Sequence, residues 1–148
     1  MTNSKVIPIG ADHAGFKLKE TIKKHFKEQG YSFKDYGTHS EDSIDYPDFG
    51  HPVAEHVSKD KESLGIVICG SGNGINMTVN KHQDIRSALC WNEDLAALAR
   101  QHNDANIIAL PARFIDATLA IKMVDKFLTT QFEGGRHQNR VNKIACGD

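Results

Sequence analysis

Residues 64–74 (LGIVICGSGNG) hold the densest chemistry in the chain. An apolar, β-branched run ends at Cys69, the glycine-rich stretch GSGNG follows, and a segment of helical character comes next. A strand that stops in such a turn at a helix start presents backbone N–H groups to an anion or a developing oxyanion. The same helix end favours negative charge on a thiol placed there. Cys69 is therefore a candidate base or nucleophile, with residues Gly70, Ser71, Gly72, Asn73 and Gly74 as the oxyanion site beside it. Taken alone, the segment also fits a buried thiol before a tight turn. Cys90, which ends another apolar run with no glycine loop after it, is the comparison inside the same chain. GSGNG matches neither the P-loop nor the full dinucleotide fingerprint. Ser71 and Cys69 show no hydrolase triad order or nucleophile elbow.

Asp12 and His13, in residues 10–15 (GADHAG), are the second candidate group. In a turn between a strand and a helix they can orient a polar ligand, or Asp12 can cap the helix while His13 is solvated. Residues 100–104 (RQHND) read first as a helix end, where the dipole favours His102. Arg113 follows an apolar run, and Arg136 and Arg140 stand four apart in the tail, on one face of a helix. Two guanidinium groups so placed hold a phosphate dianion, or form a solvated basic face. The 8 histidines are scattered and show no HExxH or paired Cys/His spacing, so no metal is expected.

The elements that must position these side chains alternate from end to end. Val6–Ile9 reads as a first strand, and Phe16, Leu18, Ile22 and Phe26 as a helical stripe stopped by Gly30. Residues 31–36 form a weaker second strand, and 37–45 a polar loop. Pro47 opens a helix carrying Phe49, Val53, Ala54 and Val57. Residues 64–69, 87–90 and 107–110 are the third, fourth and fifth strands. Leu95, Leu98 and Ala99 stripe one intervening helix; Leu119, Ala120, Met123, Val124, Phe127 and Leu128 stripe the last long one. Gly134 and Gly135 precede a short helical tail. The pattern predicts an α/β fold in three layers, with a five-stranded parallel sheet in the order 2-1-3-4-5. Residues 1–148 are expected to form one domain with a C-terminal helical tail. In that order the ends of strands one and three meet at the switch point, so the loop with Asp12 faces Cys69. A helix running toward the fifth strand ends at the opposite edge, so His102 and Asn103 reach Cys69 only from a neighbouring subunit.

The composition excludes several classes. A chain of 148 residues with a net charge of -1 has no bulk charge to capture nucleic acid or an anionic membrane. No apolar run is long enough to span a bilayer, and the N-terminus shows no signal-peptide core. The 3 cysteines are widely spaced, which suits reduced thiols and a cytoplasmic location.

Together the segments 10–15 (GADHAG), 45–47 (DYP), 68–74 (ICGSGNG), 100–106 (RQHNDAN) and 133–140 (EGGRHQNR) closely resemble the B-type ribose-5-phosphate isomerase family, which includes galactose- and allose-6-phosphate isomerases. They follow the family's order over essentially the whole chain. The resemblance implies a Rossmann-like sandwich and a metal-independent, cofactor-free aldose–ketose isomerase working through an enediolate. It implies that Cys69 moves a proton between C1 and C2 and that Ser71 handles the hydroxyl protons. Residues 70–74 would stabilise the enediolate oxygen. His102 would open the furanose ring, helped by Asp12. Tyr46 and Asn103 would position the sugar, and His13, Arg113, Arg136 and Arg140 would bind the phosphate. It further implies a homo-oligomer, at least a dimer, with the site between subunits, a small-molecule sugar phosphate as partner, and no nucleic acid or membrane. Some members carry a glutamate base where this chain has Ile75, which leaves Cys69 as the base at the loop. Ser71 keeps the hydroxyl that many members supply as threonine.

Ribose 5-phosphate is the expected substrate. Allose 6-phosphate stays open, and galactose 6-phosphate fits less well because that enzyme divides the catalytic residues between two chains. A phosphosugar-binding sensor is the rival of another class. It would keep the glycines and arginines without needing Cys69 together with His102.

Overall fold

The computed structural model describes residues 6–147; the N-terminal segment read above as lacking a signal-peptide core starts outside them. In chain order the elements are β1 (Val6–Ala11), α1 (Phe16–Lys27), β2 (Ser32–Asp35), α2 (Pro47–Lys59), β3 (Gly65–Cys69), α3 (Asn73–Val79), β4 (Ser87–Leu89), α4 (Glu93–Gln101), β5 (Ile107–Pro111), α5 (Ala117–Thr129) and α6 (Arg136–Asn142). Pro47 sits in the first turn of α2, where its missing N–H costs nothing. No helix of the described residues is long and apolar enough to cross a membrane.

The five strands form one parallel sheet in the order β2-β1-β3-β5-β4. The α/β class and the parallel pairing are as expected, but the last two strands exchange places relative to 2-1-3-4-5. The reason is burial. Every residue of β5 (IIALP) is buried, as a strand paired on both sides and covered on both faces requires. The three residues of β4 (SAL) are only half-buried, which suits a short edge.

Helices cover both faces. Ile22 and Phe26 of α1, Ala96 and Ala99 of α4, and Ala120, Met123, Val124 and Phe127 of α5 pack with Ile7, Ile9, Ile66, Ile68, Ile108 and Leu110 on one face. On the other, Val53, Ala54 and Val57 of α2 and Ile75 and Val79 of α3 pack with Val67, Cys69, Ile107 and Ala109. The strand period of two thus sends Ile66 and Ile68 one way and Val67 and Cys69 the other. In α4 Ala99 is buried and Leu95 packs against the core as expected, but Leu98 departs from the expected face. Ala96 and Ala99 are inside, while Leu98 is 40% exposed. The α4 helix packs directly along α5, so the small residues occupy the contact.

The chain leaves β1 through α1 on one face toward β2, and leaves β3 through α3 on the other face toward β4. These opposite departures open a crevice above the β1 and β3 ends. The exchange of β4 and β5 leaves that crevice intact and brings the end of β5 beside β3, with Cys69 registered against Pro111.

Candidate active site

The crevice is built from short backbone ties. At the end of β1 the Asp12 N–H donates to the Ile68 carbonyl at 3.1 Å, and Asp12 Oδ1 accepts from the Gly15 N–H at 3.0 Å. The buried carboxylate therefore steadies the turn into α1 and also lines the crevice. His13 Nδ1 accepts from the Ile44 N–H at 3.3 Å. That bond leaves Nε2 to carry the proton of the neutral ring and to donate outward.

At the end of β3 the Cys69 carbonyl accepts from the Ala112 N–H, and the Gly70 carbonyl from the Arg113 N–H, each at 2.9 Å. These bonds need β5 next to β3, so the strand exchange is what delivers Arg113. Its guanidinium lies over Gly70, where a Cβ would come within 2.9 Å of Arg113 Nη1. Gly72 has φ +77°, and a Cβ there would come within 2.5 Å of Leu89 Cδ1. Tyr46 crosses Gly74 so closely that a Cβ would lie 2.4 Å from the ring. Ser71 Oγ accepts from the Asn73 N–H at 3.2 Å, which leaves its own proton available to a ligand.

Asp12, Tyr46, Cys69, Ser71 and Arg113 line one cavity of about 480 Å³. An adjoining recess of about 530 Å³ shares Asp12 and Tyr46 and adds His13. Ser71 also borders a third recess with Asn73, Trp91 and Phe114. Cys69 is itself 4% exposed, so only a small part of the thiol faces the cavity. Cys90 stands in contrast: burial pushes its thiol up to about 12, and Sγ rests 3.6 Å from the Ala88 carbonyl.

His102, Asn103, Arg136 and Arg140 line none of these recesses. They belong to the opposite edge of the sheet, where α4 and α5 end. There the His102 and His137 rings stack at 4.2 Å with planes 14° apart. Glu133 Oε1 lies 3.9 Å from His102 Nε2 and 3.7 Å from His137 Nε2. Burial, with His102 and Arg136 beside it, holds His137 below the usual imidazole value. Arg136, Arg140 and Asn103 are exposed. The family resemblance points to His102 but gives no role to Glu133 or His137, which the turn at residues 134–135 folds back onto it. The three ligand atoms lie within 4.8 Å of one another. Arg136 and Arg140, on the same helix as His137, add positive charge beside the group. The group suits an anion better than a cation.

Comparison with known proteins places these features in a lineage. The family described as ribose/galactose isomerase matches residues 7–144. Ribose-5-phosphate isomerase B of Escherichia coli K12 is 44% identical over 142 residues, covering 96% of this chain and 95% of the relative. A probable ribose-5-phosphate isomerase B of Mycoplasma genitalium is 46% identical over 138 residues, covering 92% of this chain and 91% of the relative. Among solved structures, a ribose 5-phosphate isomerase of Thermotoga maritima superposes with a TM-score of 0.94 at 45% identity, covering 97% and 99% of the two chains. The Mycoplasma genitalium enzyme with bound ribulose-5-phosphate superposes with a TM-score of 0.92 at 45% identity, covering 95% and 94%.

Proposed function

The chain belongs to the ribose/galactose isomerase family, and on that premise we propose that it interconverts ribose 5-phosphate and ribulose 5-phosphate. The observation that carries this reading is the meeting of Cys69, Asp12, Ser71, Tyr46 and Arg113 on one cavity at the β1, β3 and β5 ends. Residues 1–148 act as one isomerase domain with its helical tail.

In this reading the open-chain aldose lies with C2 against Cys69. The thiolate removes the C2 proton, the C2 electron pair forms the C1–C2 double bond, and the carbonyl electrons move to O1. Backbone N–H groups of residues 70–74 face the enediolate oxygen, a fixed dipole that needs no rearrangement as charge grows. Cys69 returns the proton to C1, while Ser71 passes the O2 proton toward O1. Tyr46 and Asn103 place the sugar, and His102, assisted by Asp12, opens the furanose ring beforehand. His13, Arg113, Arg136 and Arg140 hold the phosphate dianion away from the thiolate. Binding at that remote group fixes the reacting carbons.

His102, Asn103, Arg136 and Arg140 lie at the edge opposite Cys69, so the complete site needs a second copy of the chain. The exposed Trp91 and Phe114, which line the recess bordered by Ser71, fit burial in that contact. The free thiols Cys69, Cys90 and Cys146 suit a reducing cytoplasm.

The test is a panel of ribose 5-phosphate, allose 6-phosphate and galactose 6-phosphate. Ribose 5-phosphate should give the highest kcat/KM. Turnover of a six-carbon substrate alone would overturn the substrate assignment, and binding of a sugar phosphate without turnover would favour a sensor. Mixing inactive Cys69→Ala and His102→Ala proteins under subunit exchange should restore part of the activity. No recovery, with exchange confirmed, refutes the shared site.

A further inference from the structure

Among the described residues, Asp104 is the non-glycine residue with a left-handed backbone, at φ +47°. It closes α4. Its N–H reaches back to the Arg100 carbonyl at 3.2 Å, and the Ala105 N–H reaches the Ala99 carbonyl at 2.9 Å. The left-handed place that ends a helix usually belongs to glycine, which adopts it without strain. An aspartate there needs a reason, and its carboxylate supplies one. Arg100 Nη1 donates to Oδ1 at 2.9 Å and to the Ala105 carbonyl at 2.6 Å. From the segment before β4, Arg86 Nε donates to the Asp104 carbonyl at 2.9 Å, and Nη2 pairs with Oδ2 at 3.5 Å. Arg86 is anchored in turn: its N–H donates to Asn106 Oδ1 at 2.8 Å. On the other side of the turn, the Gln101 carbonyl accepts from the Glu133 N–H at 3.1 Å. Between these two fixed points stand only His102, half-buried with its ring stacked on His137, and Asn103, whose side chain is exposed.

We propose that Asp104 is a positioning residue: gripped by Arg86 and Arg100, it holds the two-residue turn that presents His102 and Asn103 to the substrate. The proposal rests on the reading that those two residues act on the sugar. A glycine would satisfy the backbone but would remove the carboxylate that both guanidinium groups share, leaving them only the Asp104, Ala105 and Thr130 carbonyls and the turn freer to sample other conformations. Stability of the helix end alone favours glycine; a fixed projection of His102 favours aspartate. The strain at Asp104 is then the mark of preorganisation.

The experiment compares the full-length proteins Asp104→Gly, Asp104→Asn and His102→Ala. It measures kcat and KM for ribose 5-phosphate, competitive inhibition by inorganic phosphate, and Tm. Asp104→Gly should lose about 10- to 100-fold in kcat, the scale on which misplaced groups slow a reaction. Its Tm and its phosphate inhibition constant should stay near wild type. Asp104→Asn keeps the shape, tolerates the left-handed backbone and still accepts a hydrogen bond, so it should recover most of the loss. Wild-type kcat in Asp104→Gly overturns the proposal. So does a loss that follows a fall in Tm, or an unfolded protein, with Asp104→Asn no better. Wild-type kcat in His102→Ala would instead overturn the reading beneath it, and the proposal with it.

Discussion

The β3 and β4 strands both run into a cysteine at the same rim of the sheet, and the two ends are built in opposite ways. After β4, Cys90 is buried against the α1, α4 and α5 face, and Asn92 caps α4 by accepting from the Leu95 N–H at 2.9 Å. After β3, Cys69 borders a cavity, and α3 starts from Gly72 with no side-chain cap. The same division runs around the rim. The α1 and α2 helices, which also open on the crevice, start without an N-cap side-chain bond, while α5 is capped by Asp116. The end of β2 is closed by charge, with Asp35 bonded to Lys19, Lys23 and the Gly37 N–H. A side-chain cap is worth about 1 kcal/mol to a helix. At α1 and α3 the first N–H groups are met instead by side chains that line the cavity: Asp12 Oδ1 accepts from the Gly15 N–H, and Ser71 Oγ from the Asn73 N–H.

The most severe test of this contrast exchanges the thiols' fates. Cys69→Ala should cost about 1,000-fold or more in kcat, within the range of a lost general base, with a small change in Tm. Cys90→Ala should keep near-wild-type kcat, and its cost should appear as stability, within about 2 kcal/mol. Equal kcat losses in the two variants would erase the distinction between the strand ends.

Much of this contrast was legible in the residues. Pro47 marks the start of α2, and the GSGNG stretch marks the turn after β3. The crevice follows from the β1 and β3 connections alone, so Asp12 and Cys69 were brought together correctly even though β4 and β5 were misordered. The misordering had its own signal: the uninterrupted IIALP against the short SAL. Chain order alone does not carry it, because β5 crosses back between β3 and β4. Arg113 was named, but its route to Cys69 runs through the β3–β5 pairing, which that order lacked. Glu133 and His137 lie more than thirty residues from His102, and their contact depends on the angle at which α6 folds back. Local periodicity holds no trace of that angle.

The next test concerns the rim end closed by charge. Burial alone would raise the Asp35 carboxyl, but hydrogen bonds from Lys19, Lys23 and the Gly37 N–H hold it at about 2. Lys19 is fully buried, so Asp35→Ala would leave its ammonium with only the half-exposed Glu20 carboxylate, at about 3 kcal/mol. The sign in pH follows from linkage. A carboxyl lowered in the folded state contributes its stability above its unfolded value near 3.8 and loses it as pH falls toward about 2. Denaturant titrations should therefore show wild type well above Asp35→Asn at pH 6, with the gap narrowing between pH 4 and 2. A gap that stays constant through that window would mean the bonds to Asp35 contribute through packing rather than charge. Activity per folded molecule should hardly change, because this strand end is not an open one.

The smallest effects lie in the helix starts themselves, and they separate a structural cap from an open one. Asn92→Ala removes the bond to the Leu95 N–H and should cost about 1 kcal/mol of stability with kcat unaltered. Gly72→Ala costs a similar amount for a different reason. The backbone at φ +77° disfavours a side chain by about 1–2 kcal/mol, and the new Cβ would press on Leu89 Cδ1. Yet Gly72 stands between Cys69 and α3, so the shift needed to accommodate the methyl moves the N–H groups of the loop. Here kcat should fall about tenfold or more while Tm falls no further than in Asn92→Ala. Two variants of equal stability and unequal rate would show that the uncapped start of α3 serves the reaction. If both kept wild-type kcat, the missing cap after β3 would be a matter of folding alone.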